Sequence, residues 1–118
     1  MSPSHPCLVA DIGGTNARFG WIDAPGAAVQ HVRTLPTTGH AGPAEAAAAY
    51  LQALRAELGA ALPAPRAAAL AVATAVTGDV VSYTNGPWRF ACSALPAAMG
   101  VATVRVLNDF EALALALP

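Results

Sequence analysis

The sequence contains no lysine; all six of its basic side chains, among 118 residues, are arginines. A P-loop needs a lysine within G-K-[ST] to reach the β- and γ-phosphates, so that route to nucleotide binding is excluded. Charge of either sign is scarce, at 11% of residues with a net −1 and a pI near 6.2. No basic patch can form on such a chain, which argues against direct contact with nucleic acid. Cysteine is limited to Cys7 and Cys92, too far apart for a metal-ligand spacing, so reduced thiols in a cytoplasmic protein are expected. His5, His31 and His40 have no ligand spacing either and read as solvated loop or strand residues. The longest apolar run, residues 67–76, is too short to span a bilayer. Residues 7–10 are too short for a secretory h-region, and Asp11 ends them. Hydrophobic residues nevertheless make up 55% of the chain. That is enough for one domain with a packed core, and it suggests more apolar surface than a lone domain of this size exposes comfortably.

What is present is concentrated at Asp11-Ile12-Gly13-Gly14-Thr15-Asn16. The apolar run Leu8-Val9-Ala10 precedes it and Arg18-Phe19-Gly20-Trp21-Ile22 follows it, with alternation on both sides. This pattern predicts a strand, a tight Gly-Gly turn and a second strand. Adjacent glycines let a backbone approach an anion closely, and Thr15 and Asn16 add polar groups beside the exposed N–H groups. The Asp11 carboxylate would repel a phosphate unless a cation such as Mg²⁺ lay between them. A Mg-nucleotide site on a hairpin is therefore one reading, and a plain hairpin turn is its competitor. A Rossmann fingerprint is excluded, because G-x-G-x-x-G is absent and a strand rather than a helix follows.

Further along, residues 28–35 form a third expected strand, ended by Pro36. Pro43 is placed as a first helical residue, with Glu45 in the first turn and Gly59 as the stop. Ala47, Leu51, Leu54 and Leu58 share one face at helical spacing. Residues 67–75 read as a buried, parallel strand. Short strands at 80–83 and 88–91 flank a turn at Asn85-Gly86-Pro87, and Ser93 is the expected cap of a short helix that ends at Gly100. Residues 103–107 form a β-branched strand, and residues 110–117 read as helix. Leading strands followed by alternating helices and strands give an α/β fold with a mixed sheet and helices on its faces.

Asn108-Asp109 falls at the carboxyl end of a strand expected to be central, where open α/β sheets place their ligand crevices. A carboxylate there can take a proton from a substrate hydroxyl while the amide orients another. The competing reading is that the pair caps the following helix.

Taken together, Asp11 to Arg18, Thr77-Gly78-Asp79, Thr84-Asn85 with Trp88, and Leu107 to Ala112 resemble bacterial ATP-dependent glucokinases in order and spacing. That family belongs to the superfamily of hexokinases, actin and the heat-shock ATPase chaperones, and the resemblance spans essentially the whole chain. It implies a ribonuclease H-like (actin-like ATPase) lobe with a mixed five-stranded sheet led by three antiparallel strands. It also implies transfer of the ATP γ-phosphoryl group to the 6-hydroxyl of glucose, with ATP and Mg²⁺ as cofactors. Asp11, Ile12, Gly13, Gly14, Thr15 and Asn16 would form the first phosphate loop, with Asp11 positioning Mg²⁺ through water. Asp109 would be the general base and Asn108 would bind ring hydroxyls, while Thr77, Gly78 and Asn85 would shape the sugar side. Arg18 is expected to pair with a carboxylate on the strand surface, and Trp21 and Trp88 to serve packing.

The resemblance further implies that residues 1–118 are the small lobe of a two-lobed sugar kinase. The large lobe and a returning C-terminal helix would be missing, and the full-length protein would be a homodimer. On that expectation the apolar segment 112–117 awaits a cover. The alternative function is a non-catalytic sugar-sensing domain of a transcriptional regulator with the same fold; an actin-like or chaperone ATPase would not need Asn108-Asp109.

Overall fold

The computed structural model describes residues 5–59, 61–74, 76–83 and 86–108. The expected helix at 110–117, Asp109, Thr84 and Asn85 lie outside the described residues. Strands β1 (Cys7–Ile12), β2 (Asn16–Ile22) and β3 (Gln30–Pro36) lead, followed by helix α1 (Pro43–Leu58) and strand β4 (Ala67–Val72). Short strands β5 (Val76–Thr77), β6 (Val80–Ser82) and β7 (Arg89–Ala91) come next, then a 3₁₀ turn (Cys92–Ala94), helix α2 (Leu95–Met99) and strand β8 (Thr103–Leu107).

The main sheet has the order β3-β2-β1-β4-β8. β1 pairs antiparallel with β2 and parallel with β4, and β4 pairs parallel with β8. The mixed five-stranded sheet led by three antiparallel strands is thus present. β8, expected to be central, instead lies at the end of the strand order, because no further strand follows it among the described residues. β5, β6 and β7 form a separate antiparallel sheet, and the two-residue β5 was not foreseen. A strand that short has no period to read.

Alternation divides the side chains of β1 between two faces. Leu8, Ala10 and Ile12 join Phe19, Trp21, Leu70 and Val72 beneath Ala46, Ala47, Tyr50, Leu51 and Leu54 of α1. Cys7 and Val9 point the other way, with Ile22, Ala67, Ala69 and Ala71. Helix α1 begins at Pro43, whose missing N–H costs nothing in a first turn. It stops at Gly59, whose φ of 109° suits glycine and whose N–H closes on the Arg55 carbonyl. Of the expected helix face, Ala47, Leu51 and Leu54 are buried, but Leu58 in the last turn is 47% exposed. Trp21 and Trp88 are core residues, as expected. The Phe19 and Tyr50 rings stack at 5.5 Å, and the Tyr50 hydroxyl donates to the His31 carbonyl at 2.9 Å. Cys7 is a buried free thiol. Among the described residues, no helix is long and apolar enough to cross a membrane.

Burial pushes the Tyr50 and Tyr83 hydroxyls up to about 12, and it also raises the Cys7 and Cys92 thiols. Each of these acids is neutral in the fold at pH values where the unfolded chain has lost its proton. Their stabilisation is therefore complete below the unfolded pKa and is lost as pH rises towards the folded one. Without lysine, no side-chain ammonium titration overlaps this window. Above about pH 8 thermal midpoints should begin to fall with the thiols, and they should fall furthest between about pH 10 and 12. The double variant Tyr50→Phe, Tyr83→Phe should show a shallower fall over the upper interval in the same scan.

Candidate active site

Because β1, β4 and β8 run in the same direction, the segments that follow them emerge at one edge of the sheet. Asp11 is level with Ala71, which is level with Leu107. Two inter-strand steps separate Asp11 from Leu107, about 10 Å along the row. Asn108, exposed, follows Leu107 at that edge, as the Gly13-Gly14 turn follows β1. The first phosphate-loop candidates and Asn108 therefore share one rim, which sequence reasoning inferred only from their positions at strand ends. The proposed base Asp109 is outside the described residues.

The turn itself is held from behind. The Gly13 N–H donates to the Asn16 carbonyl at 2.9 Å and closes the hairpin between Ile12 and Ala17. The Ile12 carbonyl accepts from the Tyr83 hydroxyl at 2.7 Å and from the Ala73 N–H at 3.2 Å. The Gly14 carbonyl accepts from the Thr37 hydroxyl, and the Thr15 carbonyl from the Thr37 N–H, each at 2.9 Å. These four carbonyls are thus occupied, while the Gly14 and Thr15 N–H groups have no acceptor among the described residues. A turn with its carbonyls engaged and its N–H groups available is polarised towards an anion. Thr15 and Asn16 are exposed beside it, and the Asn16 amide reaches the Thr15 hydroxyl at 3.4 Å.

Asp11 is partly exposed on the sheet face that carries Cys7 and Val9, opposite Arg18 in the β1–β2 register. Among the described residues Arg18 has no carboxylate partner, and the ion pair joins Arg33 to Glu57. Arg18 is exposed, and a surface pair there would add little to offset the ordering of two side chains. The Asp11 charge adds to the effect of burial in raising the Tyr83 hydroxyl, which stays protonated and able to donate to Ile12.

Thr77 and Gly78 lead into the β5–β6 turn, and Gly78 has φ 61°. The neighbouring Asp79 is a structural tie: its carboxylate accepts from the Ser93 N–H at 2.9 Å and from the Ser93 hydroxyl. The Asp79 carbonyl also accepts from the Cys92 N–H at 2.7 Å. This corrects the expectation that Ser93 caps the helix, since Ser93 lies inside the 3₁₀ turn and is itself held by Asp79. Asn85 is outside the described residues.

Sequence reasoning missed Thr37, Tyr83 and Gly86. Thr37 is 1% exposed, which is unusual for a threonine in a polar stretch between strand and helix. Tyr83 sits one residue past β6, its N–H on the Trp88 carbonyl, and the Trp88 indole N–H donates to the His40 carbonyl. Gly86 lies against the turn so closely that a Cβ there would fall 1.9 Å from the Gly14 carbonyl oxygen. A glycine in a loop is an ordinary turn signal, so nothing local marked this contact. Gly86→Ala must drive the two backbones apart. It should lower stability by about 1–3 kcal/mol, read by denaturant titration.

The glucokinase family model matches residues 8–118. The glucokinase of Aromatoleum aromaticum is 47% identical over 99% of this chain, which spans 34% of that protein. The glucokinase of Paramagnetospirillum magneticum is 44% identical over 95% of the chain and 33% of its own length. A crystal structure of a glucokinase from an Antarctic psychrotroph superposes with a TM-score of 0.76 at 34% identity, over 92% of this chain and 33% of that one. The chain spans about one third of the length of these relatives, and it belongs to the glucokinase family.

Proposed function

We propose that residues 1–118 serve as the small lobe of a two-lobed glucokinase that transfers the γ-phosphoryl group of ATP to the 6-hydroxyl of glucose. The observation that carries this reading is the shared rim, where the polarised Gly13–Asn16 turn and Asn108 stand two strands apart. Family membership over residues 8–118 supports it.

On this reading the Gly14 and Thr15 N–H groups receive a phosphate of ATP. Asp11 suits a cation-bridged arrangement, since a carboxylate beside a phosphate site needs a positive charge between them. It would hold Mg²⁺ through water, and the ion would supply charge neutralisation of the phosphates. Asn108 would orient sugar hydroxyls. Asp109 would accept the 6-hydroxyl proton as that oxygen bonds to the γ-phosphorus and ADP departs. Most of the rate enhancement would come from positioning and from closure of two lobes over the sugar. One lobe supplies one phosphate turn and part of a sugar site, so the reaction needs the other.

The complete enzyme should form ADP only when glucose is present. ATP turnover without sugar would favour an actin-like or chaperone ATPase, and glucose binding without turnover would favour a sugar sensor in a transcriptional regulator. Asp109→Ala should lower kcat by at least ~100-fold, the scale of losing a general base. Near-normal glucose phosphorylation by that variant would remove Asp109 from the role. Residues 1–118 alone should show no glucose-dependent ATP turnover in a coupled assay.

A further inference from the structure

The polarity of the Gly13–Asn16 turn rests on a residue remote from it in sequence. Thr37, just past β3, makes two bonds to the turn, from its N–H to the Thr15 carbonyl and from its hydroxyl to the Gly14 carbonyl. It is 1% exposed, so no solvent competes for that hydroxyl. In a planar trans peptide the carbonyl and the following N–H point in opposite directions. Holding the Gly14 carbonyl inward therefore turns the Thr15 N–H outward. Gly14 has no Cβ to bias its own torsions, so its peptide could take the opposite flip at little cost. That flip would present a carbonyl oxygen where an anion would sit.

We propose that Thr37 is a positioning residue for nucleotide binding, its buried hydroxyl locking the Gly14–Thr15 peptide in the anion-receiving orientation. The inference rests on the turn receiving a phosphate of ATP, as proposed above. Thr37 touches no substrate; it acts through the turn. Thr37→Val separates its two bonds, because valine keeps the shape and the backbone N–H but loses the hydroxyl. Thr37→Ser loses a methyl group and keeps the hydroxyl.

The test is ATP binding by titration calorimetry, together with steady-state kinetics, on the complete enzyme and both variants. Thr37→Val should weaken ATP binding and raise the KM for ATP about five- to tenfold, the range for one lost hydrogen bond. The KM for glucose should stay within about twofold, and Thr37→Ser should recover ATP affinity to within about twofold. Three results would overturn the inference: ATP affinity unchanged in Thr37→Val, ATP and glucose constants rising together, or Thr37→Ser failing like valine. Should the valine variant not fold, the serine variant still decides, since a hydroxyl-based lock predicts near-normal ATP affinity for it. A wild-type enzyme that binds no ATP would instead sink the glucokinase reading, which keeps the two failures apart.

Discussion

β1 is the strand on which the rest of the structure depends. It takes an antiparallel partner on one side and a parallel partner on the other, and it contributes side chains to both faces of the sheet. The antiparallel side makes a tight Gly-Gly turn possible, because only antiparallel neighbours can be joined by a short hairpin. The parallel side brings the ends of β4 and β8 to the edge where that turn emerges. Had β1 paired in parallel on both sides, no hairpin could follow Asp11. Had it paired antiparallel on both, Asn108 would stand at the far end of the sheet.

Burial of β1 is achieved with unequal means on its two faces. Towards α1 the sheet offers Leu8, Ile12, Phe19, Trp21, Leu70 and Val72, bulky residues that fill the space beneath a helix rich in alanine. Small side chains on the helix let it sit close, and large ones on the sheet restore the volume. The opposite face carries Ala67, Ala69 and Ala71 beside Cys7, Val9 and Ile22, a shallower set. Asp11 falls at the end of this face, where the apolar row gives way to the polar rim.

The small sheet of β5, β6 and β7 braces the candidate site from behind. Val81, Tyr83 and Trp88 enter the main core, which anchors this sheet at the rim. From that anchor the Tyr83 hydroxyl reaches Ile12, and Gly86 lies against Gly14. Asp79 closes the other end of the unit onto the 3₁₀ turn through Ser93 and Cys92. The Gly13–Asn16 turn is thus braced by segments remote from it in sequence, each holding a different group. On the proposed reading such bracing suits a charged ligand, because preorganised N–H groups need no rearrangement when the ligand arrives.

Much of this was legible in the sequence. The Gly-Gly hairpin, the start of α1 at Pro43, its stop at Gly59 and strand β8 all follow from near neighbours: alternation, a proline that fits a first turn, a glycine that ends one. The candidate phosphate turn from Asp11 to Asn16 was proposed for the same reason, since its six residues are adjacent. The position of β8 at the end of the described strand order and the tie of Asp79 to Ser93 were not legible, because strand order and side-chain reach are not local properties. By itself, then, the sequence determined the longer elements and the groups that stand at the ends of β1 and β8. Only the tertiary structure decided that Thr37, 23 residues from Gly14, and Tyr83, 71 residues from Ile12, hold the turn's carbonyls. Contacts over such separations leave no period or motif in a chain, and arise only when the sheet and core bring their partners together.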